Sequence, residues 1–212
     1  MTIDANRPLP KSIRLPTFDY AGNAVYFITI CTAGGEMLFG EVRNGAMAIN
    51  ELGWIVWEEW ERSAEIRPET ELDVFVVMPN HFHALVTIIP NEPTEKPRFG
   101  PAERHLQDAL PMAHSRAPLR RKPRSLGSLV AGFKSTTTSR INTVRGMAGT
   151  PVWQRNYYER NMRNEHARAQ IASYNECNPM QWSLDRENPD RDGENAFESW
   201  LFADQSPTKR SP

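Results

Sequence analysis

The sequence predicts an α+β domain, an antiparallel sheet with helices packed on one face. Three observations point there. Runs rich in β-branched and aromatic residues, VYFITICT at 25–32, LDVFVV at 72–77 and HFHALVTII at 81–89, read as strands. Stretches with apolar residues at helical spacing lie at 51–66, 125–144 and 164–177. Only Met78-Pro79-Asn80 joins the second and third strands. That is too short for a crossover, so the two pair as a hairpin.

Taken in order, residues 1–20 form an irregular arm, because Pro8, Pro10 and Pro16 interrupt any helix. The strand at 25–32 ends at Ala33-Gly34-Gly35, and 40–49 reads as a short strand or hairpin arm. Asn50 is placed to cap the helix ELGWIVWEEWERSAEI, with Leu52, Ile55, Val56 and Trp60 near one face. Glu58, Glu59 and Glu61 are expected toward water. After the hairpin, residues 90–124 are rich in Pro, Arg and Ala and read as a long insert. Leu126, Leu129, Val130, Phe133, Thr137 and Ile141 give the next helix its apolar stripe, although three consecutive threonines weaken it. A short strand starts at Val152-Trp153-Gln154 and runs into Tyr157 and Tyr158. The last helix, NEHARAQIASYNEC, stops at Asn178-Pro179. The first six elements match the split β-α-β order of ferredoxin-like folds. A single domain is expected over 1–182, with an irregular acidic tail over 183–212 where Phe197, Trp200, Leu201 and Phe202 can dock as a patch.

The chain has 212 residues, 39% hydrophobic and 24% charged, the composition of a folded globular protein. No run approaches the roughly 20 apolar residues of a membrane span, and the N-terminus lacks the apolar segment of a signal peptide. Two cysteines, Cys31 and Cys177, exclude a disulfide framework and a four-thiolate zinc site. A cytoplasmic, nucleoid-associated protein is the expectation. The net charge of -1 averages opposed regions. Nine basic residues against one acid fall between Arg104 and Arg145, while eight acids against two arginines fall between Glu51 and Asp73. Such asymmetry suggests a surface that faces a polyanion, although a solvated basic loop has the same composition.

Two groups of residues carry chemistry. His81 and His83 flank Phe82, and on a strand alternate side chains share a face. The imidazoles therefore project together, about 6.6 Å apart at Cα by strand rise, and make part of a transition-metal site. Taken in isolation, such a pair more often is two partly exposed strand histidines that bind nothing. Tyr174 and Asn178 lie four apart on one helix face. A phenol can act as a covalent nucleophile and an amide oxygen can ligate a cation. The same two residues also fit a half-buried aromatic and a C-terminal cap.

The combination is more specific than its parts. VMPNHFHALV, then GFKSTTTSRIN, then VWQRNYYERNMRNE, then IASYNECNP, resembles the REP-associated tyrosine transposases of the single-tyrosine HUH superfamily, over roughly residues 20–182. The resemblance implies that His81 and His83 bind a divalent ion, Mg²⁺ or Mn²⁺, and that Tyr174 is the nucleophile. It puts the third ligand at Asn178. Tyr158, beside Tyr157, is the rival nucleophile. Arg155 and Arg163 match basic positions near the same site. Arg120, Arg121, Lys122 and Arg124, with Lys134 and Arg140 on the helix, are expected to track phosphates. Phe18, Tyr20 or Trp153 are expected to stack on unpaired bases. The insert at 90–124 and the tail depart from the family pattern.

The implied reaction is metal-dependent cleavage and rejoining of single-stranded or hairpin-forming repeat DNA through a 5′-phosphotyrosine. Two imidazoles and an amide favour manganese by softness. The alternatives are a DNA hairpin binder that retains the fold without catalysis, and a zinc hydrolase whose third ligand is His166 or Glu165. Both monomer and homodimer are compatible with the sequence.

Overall fold

The computed structural model describes residues 24–89, 124–162 and 165–202. The expected arm at 1–20 and nearly all of the 90–124 insert lie outside the described residues.

Four strands form one antiparallel sheet: β1 (Ala24–Cys31), β4 (Thr70–Val77), β5 (His81–Ile88) and β6 (Tyr158–Met162), in the order β4-β5-β1-β6. Between β1 and β4 the chain makes a separate hairpin, β2 (Gly40–Arg43) and β3 (Ala46–Ile49). Asn44 and Gly45, both at positive φ (52° and 74°), turn it, as a two-residue connection requires. Helix α1 (Glu51–Ile66) starts where Asn50 Oδ1 accepts from the Gly53 amide at 3.0 Å. Helix α2 (Leu126–Arg145) opens on a Ser125–Ser128 capping box and closes on Gly146 in the left-handed region. Helix α3 (Glu165–Cys177) runs into a 3₁₀ segment, Asn178–Leu184, and α4 (Ala196–Leu201) follows. The α+β class and the antiparallel sheet are those the sequence predicts.

Side-chain alternation divides the sheet into two faces. Tyr26, Ile28 and Ile30 of β1 and Phe82, Ala84 and Val86 of β5 point into a core closed by α1 and α2. At its centre Trp60 packs on Phe82 (4.9 Å between centroids) and on Phe133 (5.2 Å). Burying each of these side chains contributes about 2–3 kcal/mol. The predicted α2 stripe is buried from Leu126 to Ile141.

The expectation of helices on one face holds for α1 and α2. The opposite face is covered as well. Phe27 and Leu85 pack there with Ile171 and Tyr174 of α3 and with Leu201 and Phe202 at the end of α4. Arg168 fastens α3 to β4 through Asp73 Oδ2, with Nε at 2.9 Å. The stretch expected to be an irregular tail thus contains a helix, and Leu201 and Phe202 dock as anticipated, whereas Trp200 stays 42% exposed. Among the described residues no helix is long and apolar enough to cross a membrane.

Candidate active site

The second face of β5 carries His81 and His83, and the register fixes their neighbours. Cys31 of β1 lies opposite His81, and Thr29 opposite His83. The rings are 4.4 Å apart between centroids. His81 Nδ1 contacts Asn80 Oδ1 at 2.9 Å. Asn80 Nδ2 donates to the Glu187 carbonyl at 2.7 Å, so its Oδ1 is the acceptor and His81 Nδ1 carries the proton. The Nε2 lone pair is therefore free to face the site, the arrangement a ligating histidine needs. His83 Nδ1 pairs with Thr29 Oγ1 at 2.8 Å, which leaves its Nε2 inward. Burial pushes His81 down to about 4. Burial and the neighbouring His81 hold His83 well below the usual histidine range. Both rings are neutral at pH 7, the form that ligates metal.

Tyr174 reaches the same place from α3. Its hydroxyl lies 3.5 Å from His83 Nε2 and donates to Glu198 Oε1 at 2.9 Å. Burial, then the Asp185 and Glu198 carboxyls, push the phenol above its ordinary value of 10. Asn178, the first residue of the 3₁₀ segment, is buried against both Tyr174 and Asp185 and favours their ionised forms. Asp185 follows that segment. Its Oδ2 is 3.5 Å from His81 Nε2, while Oδ1 accepts from the Glu187 amide. Burial pushes Asp185 up to about 6 and Glu198 up to about 7.

The structure thus brings His81, His83, Tyr174 and Asn178 together, and adds two carboxyls that sequence reasoning missed. Donor atoms of His81, His83 and Asp185 all lie within 4.8 Å of one another. Three buried polar atoms, His81 Nε2, Asp185 Oδ2 and Asn178 Oδ1, have no hydrogen-bond partner. Each such atom costs roughly 1–3 kcal/mol when left dry. A divalent cation would satisfy the His81 and Asp185 atoms, so the residues present fit a metal. Two imidazoles and a carboxylate suit manganese, iron or zinc.

The other predicted residues fare differently. Arg120, Arg121, Lys122 and Arg163 lie outside the described residues, as do Phe18 and Tyr20. Arg124 and Arg155 are exposed. Lys134 Nζ is turned inward, donating to the Gln154 and Asn156 carbonyls at 2.8 and 2.9 Å. Arg140 bonds Glu58 and Glu59. Glu59, expected toward water, is 5% exposed because Arg140 covers it. Trp153 is a core residue, packed on Phe39 at 5.0 Å and donating to Thr137, and is not available for base stacking. Tyr158, the rival nucleophile, donates to the Leu201 carbonyl at 2.6 Å. His166 and Glu165 are exposed on α3, apart from the imidazole pair.

One signal in the sequence pointed to Glu198, though none to Asp185. Asn195 precedes AFESWLF, a capping residue before apolar positions at helical spacing, and places Glu198 on a docked helix.

The fold and site define a class: an α+β protein whose sheet presents paired buried imidazoles and an aspartate, a group able to hold a metal, beside a helix-borne tyrosine. Over 176 residues, 83% of this chain, it is 35% identical to an uncharacterised protein of Haemophilus influenzae, covering 91% of that protein. The chain belongs to the same family as that Haemophilus protein. No family profile matches it. Among solved structures it is similar to a REP-associated tyrosine transposase bound to a REP hairpin (12% identity, TM-score 0.47, 94% of this chain and 92% of the other). It is also similar to a candidate transposase from Deinococcus radiodurans (17% identity, TM-score 0.41, 77% of this chain and 95% of the other).

Proposed function

We propose that the chain is a metal-dependent DNA strand transferase that cleaves and rejoins single-stranded DNA beside hairpin-forming repeats through a Tyr174 phosphotyrosine. The observation that carries the reading is the meeting of the Tyr174 hydroxyl with the imidazole pair, 3.5 Å from His83 Nε2. The motif order that resembles REP-associated tyrosine transposases supports the choice of DNA as substrate.

His81, His83 and Asp185 would hold the ion, Mg²⁺ or Mn²⁺, with Asn178 beside Tyr174 and Asp185. The ion supplies Lewis-acid polarisation of a phosphodiester and orients it for in-line attack. The chain's own residues do the rest. Thr29 and Asn80 fix the imidazole orientations. The Tyr174 oxygen attacks phosphorus as the bond to the 3′ oxygen breaks. The tyrosine retains the 5′ phosphate, and its proton passes toward the departing 3′ hydroxyl. A phenol with an ordinary value near 10 costs about 4 kcal/mol to ionise at pH 7, and burial beside two carboxyls makes that harder. A cation held at Asp185 would offset one of those opposing charges. A later 3′ hydroxyl reverses the step, so no nucleotide cofactor is needed.

The test is a denaturing gel with hairpin DNA carrying a single-stranded flank, and Mn²⁺. Native protein gives a covalent protein–DNA band, and Tyr174→Phe loses it while keeping hairpin affinity. Native protein that binds both metal and hairpin yet forms no adduct refutes the reading.

A further inference from the structure

We propose that Arg186 grips the DNA phosphate at the cleaved link, its guanidinium donating hydrogen bonds to the non-bridging oxygens beside the ligand group of His81, His83 and Asp185. The proposal deepens the strand-transferase reading and rests on Tyr174 being the nucleophile.

Arg186 follows Asp185 directly in the chain, and one carboxylate ties its backbone to the nucleophile. Glu198 Oε2 accepts from the Arg186 amide at 2.9 Å, and Oε1 accepts from the Tyr174 hydroxyl at 2.9 Å. The guanidinium sits over the Phe202 ring, with Cζ 4.2 Å from the centroid. Phe202 belongs to the apolar cluster that contains Tyr174 and Phe27, and Phe27 packs on His83 at 5.2 Å. A cation held on a ring face keeps its N–H groups free for another partner.

Those donors are unspent. Nε is 3.4 Å from Glu187 Oε1, long for an N–H···O bond. Among the described residues, neither terminal nitrogen of Arg186 is hydrogen-bonded. Other cations are committed: Lys134 to two carbonyls, Arg140 to Glu58 and Glu59, and Arg168 to Asp73. The Arg186 side chain is 32% exposed, so an incoming strand can reach it. Its charge also reaches the site. Burial raises Asp185 and Glu198, and the guanidinium is among the groups that oppose it. Burial lowers His83, and the guanidinium adds to that.

The reaction needs such a cation. Tyr174 already faces the Asp185 and Glu198 carboxyls, and a phosphodiester brings a further negative charge. As the Tyr174 oxygen bonds to phosphorus and the bond to the 3′ oxygen breaks, charge grows on the non-bridging oxygens. A planar guanidinium fork matches that arrangement of oxygens. Arg186 keeps its proton throughout, because a guanidinium is not deprotonated in proteins. Its part is to orient the phosphate and neutralise its charge, while the phenol proton passes to the departing hydroxyl.

The experiment uses full-length chains carrying Tyr174→Phe, so that no cleavage interferes: Arg186 intact, Arg186→Ala, Arg186→Lys and, as control, Arg62→Ala on α1 against the other face of the sheet. Fluorescence anisotropy with Mn²⁺ measures affinity for hairpin DNA with a single-stranded flank, and an uncharged methylphosphonate replaces each flank phosphate in turn. Arg186→Ala weakens binding of unmodified DNA about tenfold, the loss of one charge-assisted contact. That deficit vanishes when the methylphosphonate stands at one link only, where the partner charge is already gone. Arg186→Lys, which keeps the cation, shows a smaller deficit that vanishes at the same link, and Arg62→Ala shows none. With Tyr174 restored, the covalent band maps to that link, and Arg186→Ala slows its formation about a hundredfold. No deficit in either Arg186 variant overturns the proposal, as does a deficit that persists at every link or one that vanishes at a link other than the cleaved one. A single silent link with no covalent band in any chain supports the phosphate grip and sinks the nucleophile.

Discussion

Proton competition for the metal tests which residue completes the site. A carboxyl must shed its proton to ligate, and Asp185 is held up to about 6 by burial. The sign follows: the bound form is deprotonated, so acid weakens binding. At pH 5 the metal-free site carries about ten protonated Asp185 for each ionised one, and the dissociation constant for Mn²⁺ is about elevenfold weaker than at pH 8. That is about 1.4 kcal/mol. His81, down at about 4, adds only about a tenth to the ratio at pH 5. If Asn178 rather than Asp185 were the third ligand, affinity would be almost flat over the same range. Calorimetric titration with Mn²⁺ at both pH values measures it, with proton release read from two buffers. Asp185→Asn should weaken binding and abolish the pH dependence. A native protein whose Mn²⁺ affinity does not change between pH 8 and pH 5 refutes Asp185 as a ligand and the burial argument with it.

Two further outcomes follow from the same geometry. Arg140→Ala should lower stability by about 1–3 kcal/mol in denaturant titration, because it strips the cover from buried Glu59, while hairpin affinity changes little. A loss of hairpin affinity without loss of stability would return Arg140 to the DNA surface. Opposed groups titrate in the metal-free protein. The raised Asp185 and Glu198 contribute stability that is complete below their unfolded values and lost as pH rises through about 6 and 7. The lowered His81 and His83 act oppositely, their contribution present above 6.5 and lost as pH falls. Melting curves in chelator should therefore change little between pH 8 and about 4.5, and fall below about pH 4 where the histidines outweigh the carboxyls. A steep rise in stability from pH 5 to pH 8 would contradict the burial of the carboxyls.

The histidine face was legible because strand parity is rigid: Phe82 and Ala84 had to face the apolar core, so His81 and His83 faced away from it. The start of α1 was legible because Asn50 is a strong cap. The three threonines of α2, read as a weakness, are accommodated by hydroxyls returning to the helix, Thr137 to the Phe133 carbonyl at 2.7 Å and Thr136 to Phe133 at 3.2 Å. Thr137 also receives the Trp153 indole N–H at 2.7 Å, which no local pattern announces. Charge says that a cation needs a partner but not which, and Lys134 and Arg140 found theirs inside the chain. Asp185 and Glu198 were hidden in an acidic stretch, where burial depends on a long-range contact with β5 and α3.

Asn80 stands at the hinge of the β4–β5 hairpin, its carbonyl receiving the Thr32 amide at 2.8 Å and its side chain steering His81. Because alternation along β5 is strict, an inserted or deleted residue in that hairpin would rotate both imidazoles into the aromatic interior and turn Phe82 and Ala84 toward Tyr174. Length changes there would erase both ligands in one event, whereas single substitutions elsewhere along the strand remove neither.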